Sequence, residues 1–161
     1  MNKIEGDTYI TGTLTAGAMN VPASSVGNTE IEAQANISAS KLEHQHNLNV
    51  AIFDHATDVS ARRVGFFRAE SNCTIDKFAV YVTVAAGATT TVSVDLLKNG
   101  TTILTGTISI TNSHTAYQIV EGTLSSSTLV ADDKLEVNVT ISGTNEPKGL
   151  NACAVIRERG Y

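Results

Sequence analysis

There is no tryptophan in this sequence, and aromatic residues make up only 5% of it. Sugar sites usually hold their ligands on aromatic platforms, so the scarcity weakens both a glycosidase and a lectin reading. Charge is scarce too, at 17% of residues, below the globular average. The net charge is −5, with acidic residues spread along both halves rather than in runs. The one basic cluster, Arg62 and Arg63 with Arg68 in ARRVGFFR, is too short for the basic stripe a phosphate backbone requires. It reads as the entry to a strand with charges at its rim, and no nucleic-acid partner is expected. Only two cysteines occur, Cys73 and Cys153, and they lack the C-x-x-C spacing of zinc or redox sites. Both are expected as free thiols that pack like small apolar residues. No apolar run approaches a membrane span, so no membrane partner is expected. The start, MNKIEGDTYITG, lacks the basic-then-apolar pattern of a secretory signal, which points to cytosolic synthesis with reduced thiols.

The catalytic signatures are missing as well. No G-x-S-x-G is present, and there is no phosphate loop or dinucleotide fingerprint. Asp132-Asp133 in VADDKLEV reads as a turn into a strand rather than a catalytic or metal pair. These observations argue against an enzyme, and no catalytic residue and no cofactor are expected.

What is present is Thr, Ser and Asn in place of the missing charge, a balance that leans toward strands and turns. The chain's 161 residues suffice for one domain with its own core plus an appendage. From about residue 63 the pattern has period two. KFAVYVTV, TVSVDL, KLEVNVTI and LNACAVI each alternate an apolar with a more polar face. RRVGFFR, LTGTISI and the stretch 116–122 supply further strands. Seven or eight such strands with short Gly/Asn/Ser turns predict an all-β fold, an antiparallel β-sandwich or jelly roll, over residues 63–161. Asn99-Gly100 marks a hairpin. A two-residue loop pairs Leu96 with Ile103 and mixes faces. A three-residue loop, Lys98 to Gly100, pairs Val94 with Leu104 and is therefore preferred.

The first 48 residues differ. Residues 1–19 hold one or two short extended segments, and 20–48 are poor in large apolar groups. Thr29 to Glu32 and Ser40 to Glu43 fit the capping-box spacing, which predicts short helical turns in an extended arm. On that reading His44 and His46 fall in the first turns of a helix. Such an arm cannot fold as an isolated monomer and needs a partner surface. Residues 49–62 read as a linker or first strand. The two histidines of SKLEHQH are a poor metal site within one chain, and no metal is expected. They read as a solvated or interface pair. The alternative is a three-fold axis, where three copies of His44 and His46 converge on an octahedral site.

The N-terminal half resembles phage virion proteins. GDTYITGTLTAG looks like the short strand repeat of phage fibre and decoration proteins. Residues 20–46 resemble a segment of the form V-x-N-x-x-I-x-A-x-A-x-I-x-A-S-K-L-x-H-Q-H, here running from Val26 to His46. The second half, with TTVSVDLLKNGTTIL and DDKLEVNVTISGTNEPKGLNACAVI, is similar to the β-sandwich of capsid cement (decoration) proteins of tailed phages. The resemblance implies a homotrimer on the outer capsid surface at three-fold or quasi-three-fold positions, where it stabilises the head. It implies the major capsid protein of the same phage as partner, with the arm serving trimerisation and attachment. Candidate interface residues are Ile4, Tyr9, Ile10, Leu14, Val21, Ile31, Ile37, Leu42, His44 and His46. The competing reading is a tail-fibre or receptor-binding tip that recognises a host-surface glycan or protein.

Overall fold

Residues 43–159 are described by a computed structural model. Among them there is no helix, hence none long and apolar enough to cross a membrane. The strands are β1 (Glu43–Ala51), β2 (Arg62–Arg68), β3 (Cys73–Val84), β4 (Thr91–Lys98), β5 (Thr101–Thr102), β6 (Ile108–Ile110), β7 (Val120–Gly122), β8 (Thr128–Leu129), β9 (Lys134–Ser142) and β10 (Lys148–Arg159). Sheet A has the order β1-β10-β3-β7, with β8 also on β3. Sheet B has the order β2-β9-β4-β5, with β6 also on β4. Every pairing is antiparallel.

β5 and β6 are two pieces of one interrupted strand, and so are β7 and β8. Merged, they leave eight strands in the orders 1-8-3-6 and 2-7-4-5, two sheets joined by crossing connections. This is the jelly roll that the strand count predicts. The period-two patterns explain the layers. Val92, Val94 and Leu96 of β4 face the same side as Val139 and Val137 of β9, their register partners or neighbours. All five are fully buried. Phe78, Val80 and Val82 of β3 do the same against Ala154, Ala152 and Leu150 of β10. The two apolar faces meet as one core.

The hairpin after β4 corrects the preferred three-residue loop. Lys98 pairs with Thr101 and Leu97 with Thr102, so the loop is the two residues Asn99-Gly100. Both have positive φ, 49° and 86°, as a type I′ turn demands. Leu96 then accepts from the Ile103 amide at 2.9 Å, and both side chains are buried. The faces do not mix because the returning strand breaks after Thr102. It resumes at Ile108, with Val94 opposite Ile108 and Val92 opposite Ile110. Ile108 and Ile110 do lie on the buried face.

Two further expectations are corrected. The stretch 116–122 is a strand only from Val120. Before it, the Gln118 side chain accepts from the Thr115 amide at 2.9 Å, and the Gln118 amide donates back to Thr115 at 3.2 Å. That local turn outcompetes strand pairing. His44 and His46 lie on β1, not in the first turns of a helix. The capping-box pattern is local, whereas β10 offers β1 a continuous ladder from Glu43↔Arg159 to Ala51↔Asn151. Tertiary pairing overrides so weak a local preference. β1 crosses the division drawn at residue 48. The helical turn at 29–32 lies outside the described residues.

Candidate functional site

Alternation along β1 puts His44 and His46 on one face, with Gln45 on the other. His44 is opposite Glu158 and His46 opposite Ile156. His46 Nε2 lies 3.4 Å from Glu158 Oε2, and both histidines are exposed. The contact becomes an ion pair when the imidazole is protonated. Among the described residues, no three or more His, Cys, Asp or Glu side chains are grouped to hold a metal. Ile4, Tyr9, Ile10, Leu14, Val21, Ile31, Ile37 and Leu42, the other interface candidates, lie outside the described residues.

The two cysteines are free. Cys73 is buried at the start of β3, and Cys153 lies on the outer face of β10 opposite Ala79. Burial pushes both thiols up, with the Glu158 and Asp133 carboxylates adding to the effect at Cys73. Neither is an activated nucleophile. Arg62, Arg63 and Arg68 all belong to β2, as expected of a strand entry. Arg63 Nε donates to Glu136 at 3.2 Å, and Arg68 pairs with Glu70 and Asp132.

Asp132 and Asp133 form the turn into β9. Asp132 takes a φ of 72°. Asp133 accepts from the Val130 amide at 2.9 Å and from Asn99 Nδ2 at 2.6 Å, while Asn99 Oδ1 accepts from the Lys134 amide at 2.9 Å. The carboxylate thus clamps the tip of the β4–β5 hairpin to the start of β9. The Val130 amide and the Asn99 amide hold its pKa below the ordinary value, with Lys98 contributing. A depressed folded pKa gives stability that is fully present above the unfolded value of about 3.9 and is lost as pH falls through the folded value. Urea midpoints measured between about pH 2 and 5 should therefore fall less steeply with acidification in Asp133→Asn than in the wild type.

A groove opens on the outer face of sheet A. Ala79 and Cys153 face each other there, between Asn49 on β1 and Glu121 on β7. Small side chains on the central strands and larger ones at the flanks leave a groove of about 310 Å³. Asn47 and Asn49 border it on one side, and Ile119, Glu121 and Lys77 on the other. Asn47 Oδ1 accepts from Gln45 at 3.2 Å, and Asn49 Oδ1 accepts weakly from the Cys153 thiol at 3.6 Å. Lys77 and Glu121 neutralise each other across 3.5 Å. Ile119 is 63% exposed, unusual for so large an apolar side chain.

An aromatic cluster lies on the next outward residue of β3 after Ala79 and two residues before Ile119. The rings of Tyr81 and Tyr117 lie 6.2 Å apart, tilted by 35°. The Tyr117 hydroxyl is 3.1 Å from His55 Nε2. Tyr117 has a φ of 62°, a left-handed backbone that an aromatic residue rarely adopts, and its amide is fixed to the Val82 carbonyl at 2.8 Å. Sequence reasoning missed this cluster. Tyr81 was legible as a polar-face residue of β3, but the turn that brings Tyr117 beside it was read as strand.

The fold defines an all-β jelly-roll domain. No family model matches the chain, and no curated protein matches it. Among solved structures, one of infectious bursal disease virus, Gx strain, overlaps with a TM-score of 0.35 at 15% identity, over 74% of this chain and 33% of that one. One of the Gt strain gives 0.33 at 14%, with the same coverage. The chain thus spans about a third of the length of those chains.

Proposed function

We propose that this chain is a structural subunit of a virus particle: a homotrimeric cement protein on the outer capsid surface of a tailed phage. One observation carries the reading. The segment that resembles phage virion proteins ends in His44-Gln45-His46, and these residues are rungs of β1, paired without interruption to β10. An arm gripping a capsid or its sister arms would pass its load into the sandwich along β1. Such a load shears all nine residues of the strand at once instead of peeling them singly. A rigid core of two apolar faces suits a passive clamp. Three copies joined at their arms would multiply a weak contact with the major capsid protein through effective concentration. The protein acts by buried area, not by chemistry. It would be made in the host cytoplasm and reside on the virion.

The test is binding to expanded phage heads stripped of their own decoration. The trimer should bind at saturable stoichiometry and raise the temperature at which packaged heads rupture. Binding to host cells without binding to heads would transfer the protein to the receptor-binding tip of a tail fibre.

A further inference from the structure

We propose that the free edge of β1 is an interface between two copies of this chain, in which β1 pairs antiparallel with β1 of the second copy about a two-fold axis at Asn47. The inference goes beyond the proposed structural role and stands whether or not that reading holds. In trimers joined through their arms, the same pairing would link one trimer to the next.

The sandwich has four sheet edges, and three of them are closed or guarded. β5 and β6 form one, β7 and β8 another, and each of these strands is only two or three residues long. These two edges are also stitched to each other. Leu104 bridges Leu124, the Thr105 amide donates to the Thr123 carbonyl at 2.9 Å, and the Ser125 amide donates to the Ile103 carbonyl at 2.8 Å. β2 is the third edge. A register shift between Gly65 and Phe67 interrupts it, and it carries Arg62, Arg63 and Arg68. Short strands, bulges and charged side chains are the devices by which folds keep their edges from pairing.

β1 has none of these devices. It runs nine residues in unbroken register with β10, and EHQHNLNVA holds no Pro, Lys or Arg. Among the described residues, no strand pairs with its other side. The Ile52 amide donates to the Leu150 carbonyl at 2.9 Å, which fixes the phase of the ladder. In an antiparallel pair, alternate residues turn both backbone groups to the same side. Even-numbered residues of β1 therefore face β10, and Gln45, Asn47, Asn49 and Ala51 present N–H and C=O to the free edge. Donors and acceptors repeating at that spacing are matched by another strand.

A second β1 fits this edge in one register best. Centred on Asn47, the two-fold pairs all nine residues and sets each outward-bonding residue against another. Gln45 meets Asn49 of the second copy and Asn47 meets Asn47, side-chain amides that both donate and accept. On the other face His46 meets Leu48 and His44 meets Val50, so no imidazole opposes another. Leu48 and Val50, only half-buried against the core, gain cover. Centring on His46 would set two imidazoles face to face, and centring on Leu48 would pair only seven of the nine residues. The contact is isologous and closes on itself as a pair.

The experiment is disulfide trapping of the full-length protein in a Cys153→Ala background, read on a non-reducing gel. In this register the two Asn47 Cα atoms lie about 5.5 Å apart, within the reach of a disulfide. Asn47→Cys should give a dimer of chains under mild oxidation. Gln45→Cys and Asn49→Cys, each about 14 Å from its own copy, should not cross-link alone but should cross-link with each other when mixed. Asn47→Pro removes the outward amide at an edge position, where Pro is tolerated. It should keep the circular dichroism spectrum of the wild type and lower the mass of the native assembly by half or more in sedimentation. Failure of Asn47→Cys to cross-link overturns the proposal, as does an unchanged mass in a folded Asn47→Pro. Equal cross-linking by Gln45→Cys or Asn49→Cys alone overturns it too, because that marks another register or random collision. None of these readouts involves phage heads, so failure of this interface is distinguishable from failure of the cement reading.

Discussion

Phe78→Ala is expected to destabilise the domain by about 3–5 kcal/mol, read as a lower denaturant midpoint at unchanged slope. Phe78 is the largest side chain that the fold buries completely. It stands on β3 in the middle of sheet A, between Ala154 on β10 and Gly122 on β7. These are the smallest available neighbours, and they leave the ring room to reach across the core. There it meets Phe66 of β2 edge-on, with centroids 6.1 Å apart and planes at 87°. Phe78 is therefore a principal tie between the two sheets. Its removal leaves a cavity lined by strands that cannot collapse, because both sheets are held by their own ladders. For a domain of this size the loss is a large share of the total stability. Phe66 is only half-buried, so Phe66→Ala should cost less. The double variant should lose less than the sum of the singles, because both remove the same ring contact.

Gly149→Ala should be nearly as damaging, about 2–4 kcal/mol by the same measurement. Gly149 is the second residue of β10 and has a φ of 64°. A methyl group there would sit 2.1 Å from Thr83 Oγ1 and 2.9 Å from the His55 Cα. Neither neighbour can yield easily. Thr83 is buried and donates from Oγ1 toward two carbonyls, those of His55 at 2.9 Å and Lys148 at 3.0 Å. His55 is backbone. The Gly149 amide itself donates to Thr57 at 3.1 Å, fastening the β1–β2 connection over the end of sheet A. The substitution thus combines backbone strain with overpacking. Because His55 also holds the Tyr117 hydroxyl, it should disturb the aromatic cluster together with stability.

The strands were largely legible because each carries its own period. In KLEVNVTI, Leu135, Val137 and Val139 are buried as the alternation requires. What the period does not convey is where a strand is interrupted. The register of the β4 hairpin is hidden because the returning strand breaks between Thr102 and Ile108, which the alternation alone does not mark. The stretch 116–122 was misread because Val120–Gly122 has strand pattern and the turn before it rests on a side-chain hydrogen bond of Gln118. The histidines were misplaced because a capping-box spacing is visible over four residues, whereas the strand that captures them lies more than a hundred residues away.

By itself the sequence determined that this is an all-β sandwich, with free cysteines, an Asp-Asp turn and an apolar face on each long strand. Periodicity and turn chemistry are local properties and can be read without knowing what lies opposite. Only the tertiary structure decided the partners. It added β1 to the edge of sheet A by pairing it with β10, set Phe78 against Phe66 across the core, and gathered Tyr81, Tyr117 and His55 into one cluster. Those contacts join residues distant in the chain, and their energies depend on register and on strand order, which no single stretch of sequence encodes.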